Sequence, residues 1–188
     1  MQRTGGRRFE AGMHLPPPPL EELHGLARLL ARTADRLAAR TFAAGRLGPQ
    51  CLPRLLGTWT VAEEIQWQHL PPGFALKASR GHASSRLVLP GDGTDLAALR
   101  QVAARWLARE PGRPPRLFAE ELVLGHDASP APAWCFRLAA GHLAPLSDAP
   151  PDPRLLAAAA RLAAGLDRVR IRLHLRQGRV VFGSIRRE

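Results

Sequence analysis

Residues 169–185 read VRIRLHLRQGRVVFGSI, and this stretch is the clearest structural signal in the chain. Its first half alternates apolar and basic side chains, which is typical of a strand with one buried and one exposed face. Gln177-Gly178 predicts a tight turn, and the apolar run that follows predicts an antiparallel return strand. The chain is therefore expected to close in a β-hairpin that carries Arg170, Arg172 and His174 on one face.

Shorter patterns before this hairpin predict a mixture of helices and strands. Helical periodicity runs from Leu20 to about Ala44, and it recurs after Asp92 and Leu155. Strands are predicted at residues 52–59, 74–77, 86–89, 116–124 and 134–139. Turn residues separate these segments, so we expect an α+β protein built from antiparallel sheets.

The domain organisation is expected to be simple. Residues 1–18 are basic and lead into the four consecutive prolines at 16–19, which predicts a disordered tail. Residues 19–188 are expected to form a single unit, with a helical lead-in at 19–45, a first lobe at about 50–115 and a second at about 116–188. No apolar run approaches the ~20 residues that cross a bilayer, and the amino terminus lacks a secretory pattern. A cytoplasmic protein with Cys51 and Cys135 as buried thiols is expected.

Charge points toward anionic partners. The 188-residue chain has a formal net charge of +11, which favours nucleic acid, a membrane surface or phosphorylated small molecules. Of its 27 basic residues, all but Lys77 are arginine. GC-rich coding would produce the same excess of arginine, so the charge reflects either an anionic partner or coding bias. Lys77, in turn, is either a chance survivor of that bias or a position that needs a compact ammonium group.

Two features single out a candidate binding site. Lys77 ends the strand at 74–77 and precedes a polar loop at 79–85, which is either a plain hairpin connection or a loop that closes over phosphates. Glu120 and Glu121 lie on an otherwise apolar strand. Alternation buries one of them unless the strand lies at an edge, and a buried carboxylate requires a partner, for which Lys77 is the obvious candidate.

Six segments in order resemble the TupA-like branch of the ATP-grasp superfamily, which is associated with bacterial cell-surface polysaccharide and teichuronopeptide biosynthesis. They are Ala34-Asp35-Arg36 with Arg40, Gly48 and Leu52-Pro53; Leu70-Pro71 to Phe74-Ala75-Leu76-Lys77; Arg80-Gly81-His82; Leu117 to Leu122; Trp134 to Gly141; and Val169 to Gly183.

This resemblance implies an ATP-grasp-like fold, in which two small lobes of antiparallel sheet and helices enclose a nucleotide cleft. ATP is the implied cofactor. The reaction implied is ATP-dependent activation and ligation of a carboxylate, with a polysaccharide precursor or an amino acid as substrate. The residues implied to bind the nucleotide are Lys77, Arg80, Gly81, His82, Ser84, Glu120, Glu121 and Leu122.

The chain departs from the family where Mg²⁺ would bind. Arg172 and Ser184 occupy the positions of the family's metal carboxylates, and arginine cannot be a ligand for Mg²⁺. Whether the chain is an enzyme is therefore open. The alternative is a catalytically inactive relative in which Arg170 and Arg172 supply fixed positive charge. A third reading is a basic nucleic-acid-binding module, but the chain lacks the aromatic pattern of such modules.

Overall fold

The computed structural model describes residues 13–14, 35–80, 84–108, 115–125, 127 and 129–188. Within these ranges the helices are α1 (Arg36–Leu47), α2 (Leu96–Leu107) and α3 (Pro153–Ala163). The strands are β1 (Met13–His14), β2 (Leu55–Trp59), β3 (Phe74–Ala78), β4 (Ser85–Val88), β5 (Leu117–Glu121), β6 (Ala133–Ala139), β7 (His142–Pro145), β8 (Val169–Arg176) and β9 (Arg179–Arg187).

An aspartate caps the amino-terminal end of each of these helices. Asp35, Asp95 and Asp152 accept hydrogen bonds from backbone N–H groups of the first helical turn, which would otherwise lack partners. Helix α1 ends at Gly48, whose φ of 92° suits glycine. Each cap is a short-range device, so the starts of the helices are encoded locally.

The described strands form two antiparallel sheets. The order in the four-stranded sheet is β2-β5-β3-β4, and in the five-stranded sheet it is β1-β7-β6-β8-β9. Tight turns join β6 to β7 and β8 to β9, and both central residues of each turn have positive φ, at Ala140-Gly141 and Gln177-Gly178. The α+β class with antiparallel sheets is confirmed.

Each sheet has its own hydrophobic core. The five-stranded sheet packs its apolar side chains, such as Phe136, Ile171 and Leu173, against α1 and α3. The four-stranded sheet packs Leu76, Leu117 and their neighbours against α2. This division leaves the opposite face of the four-stranded sheet free to meet the rest of the molecule.

The structure differs from the sequence-based expectations at several places. Strand β5 pairs with β2 and β3, so the segment expected to open the second lobe lies in the first sheet. Met13 and His14, expected within a disordered tail, pair with the unpredicted strand β7. Helix α1 continues past Ala44 to Leu47. The rest of the expected tail, the periodic segment before Asp35 and residues 81–83 lie outside the described residues.

Candidate functional site

The candidate site begins on the face of the four-stranded sheet that points away from α2. Lys77 lies opposite Phe118, and Ala75 lies opposite Glu120. Since directly opposed residues share a face, these four side chains lie together, with Lys77 diagonal to Glu120. Phe118 and Glu120 are both buried, so this face is covered although it lies outside the α2 core.

Glu120 is the centre of a buried ion-pair network. It is 4% exposed, and its two carboxylate oxygens accept from different cations. Lys77 Nζ donates to Oε1, and Arg40 Nη1 donates to Oε2 at 2.5 Å. Arg40 Nη2 also donates to the Pro53 carbonyl at 2.8 Å. Two cations share one anion here, so the network retains a net positive charge of about one unit.

The start of α1 closes one end of this site. Arg36 Nη1 donates to the carbonyls of Ala78 at 2.6 Å and Ser84 at 2.7 Å. Burial lowers the pKa of Arg36, the nearby charge of Arg186 lowers it further, and Glu120 opposes the shift. These contacts fix both ends of the loop that connects β3 to β4.

Strand β8 approaches the site from the five-stranded sheet. Arg176 Nη1 lies 3.3 Å from Glu121 Oε1, and His174 Nδ1 hydrogen-bonds the Ala131 carbonyl at 3.0 Å. Burial lowers the pKa of His174, its backbone hydrogen bonds oppose the shift, and the charges of Arg172 and Lys77 lower it further. The Arg176–Glu121 contact therefore places this end of β8 beside β5, next to the Glu120 that binds Lys77.

Lys77 pairs with Glu120, one of the two carboxylates expected as its partner, and the other residues implied by the resemblance are distributed around this pair. Ser84 is buried, and its hydroxyl donates to the Arg80 carbonyl at 3.2 Å. The Arg80 side chain lies 3.5 Å from Asp35. Leu122 is buried just after β5. Gly81 and His82 lie outside the described residues.

The remaining candidates lie on the closing hairpin. Arg170 is exposed and pairs with Glu188 at 2.7 Å. Arg172 lies opposite Ser184 on β9 and opposite Cys135 on β6. Arg172 therefore lies beside His174 on the same face of β8, whereas Arg170 is held at the separate carboxylate of Glu188. Cys51 is buried as expected, and Cys135 is half-buried.

Sequence reasoning assigned no site role to Arg40, although this residue joins helix α1 to the carboxylate of Glu120 on strand β5. Arg40 is 9% exposed, between Ala39 and the buried residues Phe42 and Ala43. The available signal was an arginine within the apolar stripe of a helix. Its carboxylate partner lies 80 positions away along the chain, so the sequence pattern alone could not identify it.

The residues present do not fit Mg²⁺. Magnesium prefers hard oxygen ligands, usually carboxylates, but Glu120 and Glu121 are both engaged by cations. In the part of the chain that the structure describes, no group of three or more His, Cys, Asp or Glu residues could hold a metal ion. Lys77 and Arg40 instead give the site a net positive charge, which attracts an anion rather than a cation.

None of the described helices is both long enough and apolar enough to cross a membrane.

No protein-family model and no curated protein matches the chain. Solved structures do match it. Phosphoribosylamine–glycine ligase from Thermotoga maritima has a TM-score of 0.56 at 10% identity, covering 90% of this chain and 49% of that one. D-alanine–D-alanine ligase from Bacillus anthracis complexed with ATP has a TM-score of 0.58 at 10% identity, covering 89% and 60%. A RimK domain ATP-grasp protein from Sphaerobacter thermophilus has a TM-score of 0.56 at 17% identity, covering 88% and 67%.

These likenesses establish the fold. The chain has an α+β, ATP-grasp-like fold, as the sequence resemblance implied. It spans about half the length of the first solved structures that it matches.

Proposed function

We propose that the chain binds ATP in the site between the two sheets. The observation that carries this proposal is the buried network in which Lys77 and Arg40 share the single carboxylate of Glu120. A buried excess of positive charge is stable when an anion neutralises it, and a phosphate accepts hydrogen bonds well from an ammonium group. The likeness to a ligase solved with ATP supports the same ligand.

In this proposal each part of the site has its own task. Lys77 contacts a phosphate, while Glu120 holds its ammonium group in position. Arg80 and Ser84 lie beside the phosphates, where backbone N–H groups can donate. Glu121 and Leu122, together with the backbone of Glu120, line the pocket for the base and ribose.

We propose that the chain retains nucleotide binding without ligation. The matched structures include ligases, so ATP-dependent carboxylate ligation is the ancestral reaction in this reading. Phosphoryl transfer depends on a metal to neutralise charge, and the residues of this site do not fit Mg²⁺. The six segments that resemble the TupA-like branch support a setting in surface-polysaccharide synthesis, in the cytoplasm where ATP is supplied.

The nucleic-acid alternative has less support. Of the arginines on β8, Arg170 and Arg176 already pair with carboxylates. These pairs reduce the positive charge that the strand offers to a phosphate backbone.

A calorimetric titration with ATP tests the proposal. We expect saturable binding to the full chain, and a stabilisation of about 2.7 kcal/mol when ATP is present at 100 times its dissociation constant. Lys77→Met should abolish or greatly weaken binding, since Glu120 keeps Arg40 as its partner and the fold is retained. Circular dichroism checks that retention. Unchanged ATP binding by a folded Lys77→Met variant would refute the site assignment.

A further inference from the structure

One arginine on the outward face of β8 differs from its neighbours. This face carries Arg170, Arg172, His174 and Arg176. Arg170 pairs with Glu188, and Arg176 pairs with Glu121. His174 hydrogen-bonds the Ala131 carbonyl. Arg172 is exposed, and among the described residues it makes no hydrogen bond and no ion pair. The row therefore contains a single guanidinium whose charge is not balanced locally.

The surroundings of Arg172 contain no carboxylate across the sheet. Its opposed residues are Cys135 on β6 and Ser184 on β9. A β-bulge at Gly183 interrupts the pairing just beyond Ser184. A Cβ atom at Gly183 would lie 3.0 Å from both Arg172 Cγ and His174 Nε2, so both side chains lie against this glycine. The bulge thus brings the arginine near the half-buried histidine.

The face of β8 that carries Arg172 approaches the Lys77 network. Arg176, on the same face, pairs with Glu121 at 3.3 Å, and Glu121 directly follows the Glu120 that binds Lys77. The charges of Arg172 and Lys77 both lower the pKa of His174, which lies between Arg172 and Arg176 along this face. The nearby acidic side chains offer no free charge, since Glu120 and Glu121 are already paired. Fixed cations outnumber available anions at this point in the fold.

We infer that the site binds the polyphosphate of its nucleotide as the metal-free anion, with Arg172 and Lys77 supplying the charge that a divalent cation supplies elsewhere. This inference rests on the proposed nucleotide binding and adds the form of the ligand. Metal-free ATP carries two more negative charges than its Mg²⁺ complex, so a site built from fixed cations binds the metal-free form at least as tightly.

Titrations with ATP in excess EDTA and in excess MgCl₂ test this inference. We expect binding in EDTA to be no weaker than binding in MgCl₂. In EDTA, Arg172→Gln should weaken binding by about tenfold or more, since a hydrogen bond to a charged group is lost. Arg161→Gln is the matched control. It removes the same charge from α3, which packs on the opposite, apolar face of the sheet, and should change the affinity less than about twofold.

A second measurement locates the ligand. Cys135 is the cross-strand neighbour of Arg172 and is half-buried, whereas Cys51 is buried. ATP in EDTA should slow alkylation of Cys135, and inorganic tripolyphosphate should do the same. Binding that requires Mg²⁺, or that neither protects Cys135 nor responds to Arg172→Gln, would overturn the inference and leave nucleotide binding intact. No binding in either buffer would instead refute the proposed function.

Discussion

Glu120 is the side chain whose removal should cost the fold most at the site. Its pairs with Lys77 and Arg40 are largely buried, with 6% of the Glu120 side chain and 10% of the Arg40 side chain exposed. Glu120→Gln leaves Arg40 facing a neutral amide, so we expect the free energy of unfolding to fall by roughly 3 kcal/mol. Urea titration of the folded variant measures this change.

Glu121→Gln provides the matched comparison. The Glu121–Arg176 pair is 42% and 39% exposed, so solvent screens it and its loss should cost less than about 1 kcal/mol. Equal effects of the two substitutions would mean that burial does not distinguish the neighbouring carboxylates.

His174 should make stability depend on pH. Its pKa in the folded protein lies below its ordinary value of 6.5, mainly because of burial, so the folded state favours the neutral ring. The contribution of His174 to the free energy of unfolding is therefore complete above about pH 6.5, and it is lost as the pH falls through the lowered pKa. Arg172 and Lys77 act in the same direction, whereas the backbone of Ala131 and Pro132 opposes them.

The measurement is the urea midpoint between pH 7.5 and pH 5. We expect a decline in the unsubstituted protein and a shallower decline in His174→Gln, whose amide retains a donor for the Ala131 carbonyl. Parallel pH profiles for the two proteins would remove His174 as the cause.

At the residue scale, the sequence predicted the part of the site that local patterns encode. Lys77 lies on an apolar strand and Glu120-Glu121 interrupts another, and a buried carboxylate needs a cation, so a pair between Lys77 and one of these two carboxylates could be inferred. Arg40 could not be assigned in the same way. An arginine on a helix is normally solvated, and its burial depends on where the helix packs.

Among the elements, the β8–β9 hairpin was the most predictable. Strict alternation gives its faces, and Gln177-Gly178 gives its turn. Strand β7 was not predicted because it has only four residues and ends in Pro145, a residue that disfavours strands. The sheet membership of β5 was also missed, since strand pairing across long sequence separations leaves no local pattern.

Two glycines test how these elements tolerate a side chain. Gly45 lies inside α1, is exposed, and has no atom within 4 Å of an added Cβ. Gly45→Ala should raise the free energy of unfolding by about 0.5–1 kcal/mol, since alanine loses less backbone entropy in a helix.

Gly183 represents the opposite case. An added Cβ would lie 3.0 Å from the Arg172 carbonyl oxygen, which belongs to the sheet backbone. Gly183→Ala should therefore lower the free energy of unfolding by about 1–2 kcal/mol, as overpacked sites do. Chemical denaturation of both variants checks the pair. A stabilising Gly183→Ala would show that the bulge does not need glycine.

On the scale of the whole molecule, α1 contacts both sheets and so connects their two cores. Its apolar face, including Phe42 and Ala43, packs in the core of the five-stranded sheet. Its polar side reaches the other sheet, where Arg36 donates to the Ala78 carbonyl and Arg40 to Glu120. Disrupting these contacts should weaken the coupling between the sheets without emptying either core.

Separate probes can follow the two cores during urea unfolding. Trp59, Trp67 and Trp106 all pack in the core of the four-stranded sheet, and Cys51 lies in the other core. Burial raises the pKa of the Cys51 thiol, which slows its alkylation in the folded state. A Trp134→Phe, Cys135→Ser background makes tryptophan fluorescence report the first core and alkylation the second.

In that background we expect one urea midpoint from both probes, as for a cooperative unit. Arg40→Met should separate the midpoints, since a coupling loss of roughly 2 kcal/mol corresponds to about 1 M urea at a typical slope. Arg46→Met is the control on the same helix, because the Arg46 guanidinium lies over the Phe42 ring at 5.4 Å, within α1. Coincident midpoints in Arg40→Met would mean that the Arg40–Glu120 pair does not couple the sheets, and cooperativity would then have to arise from the remaining contacts of Arg36 and Arg176.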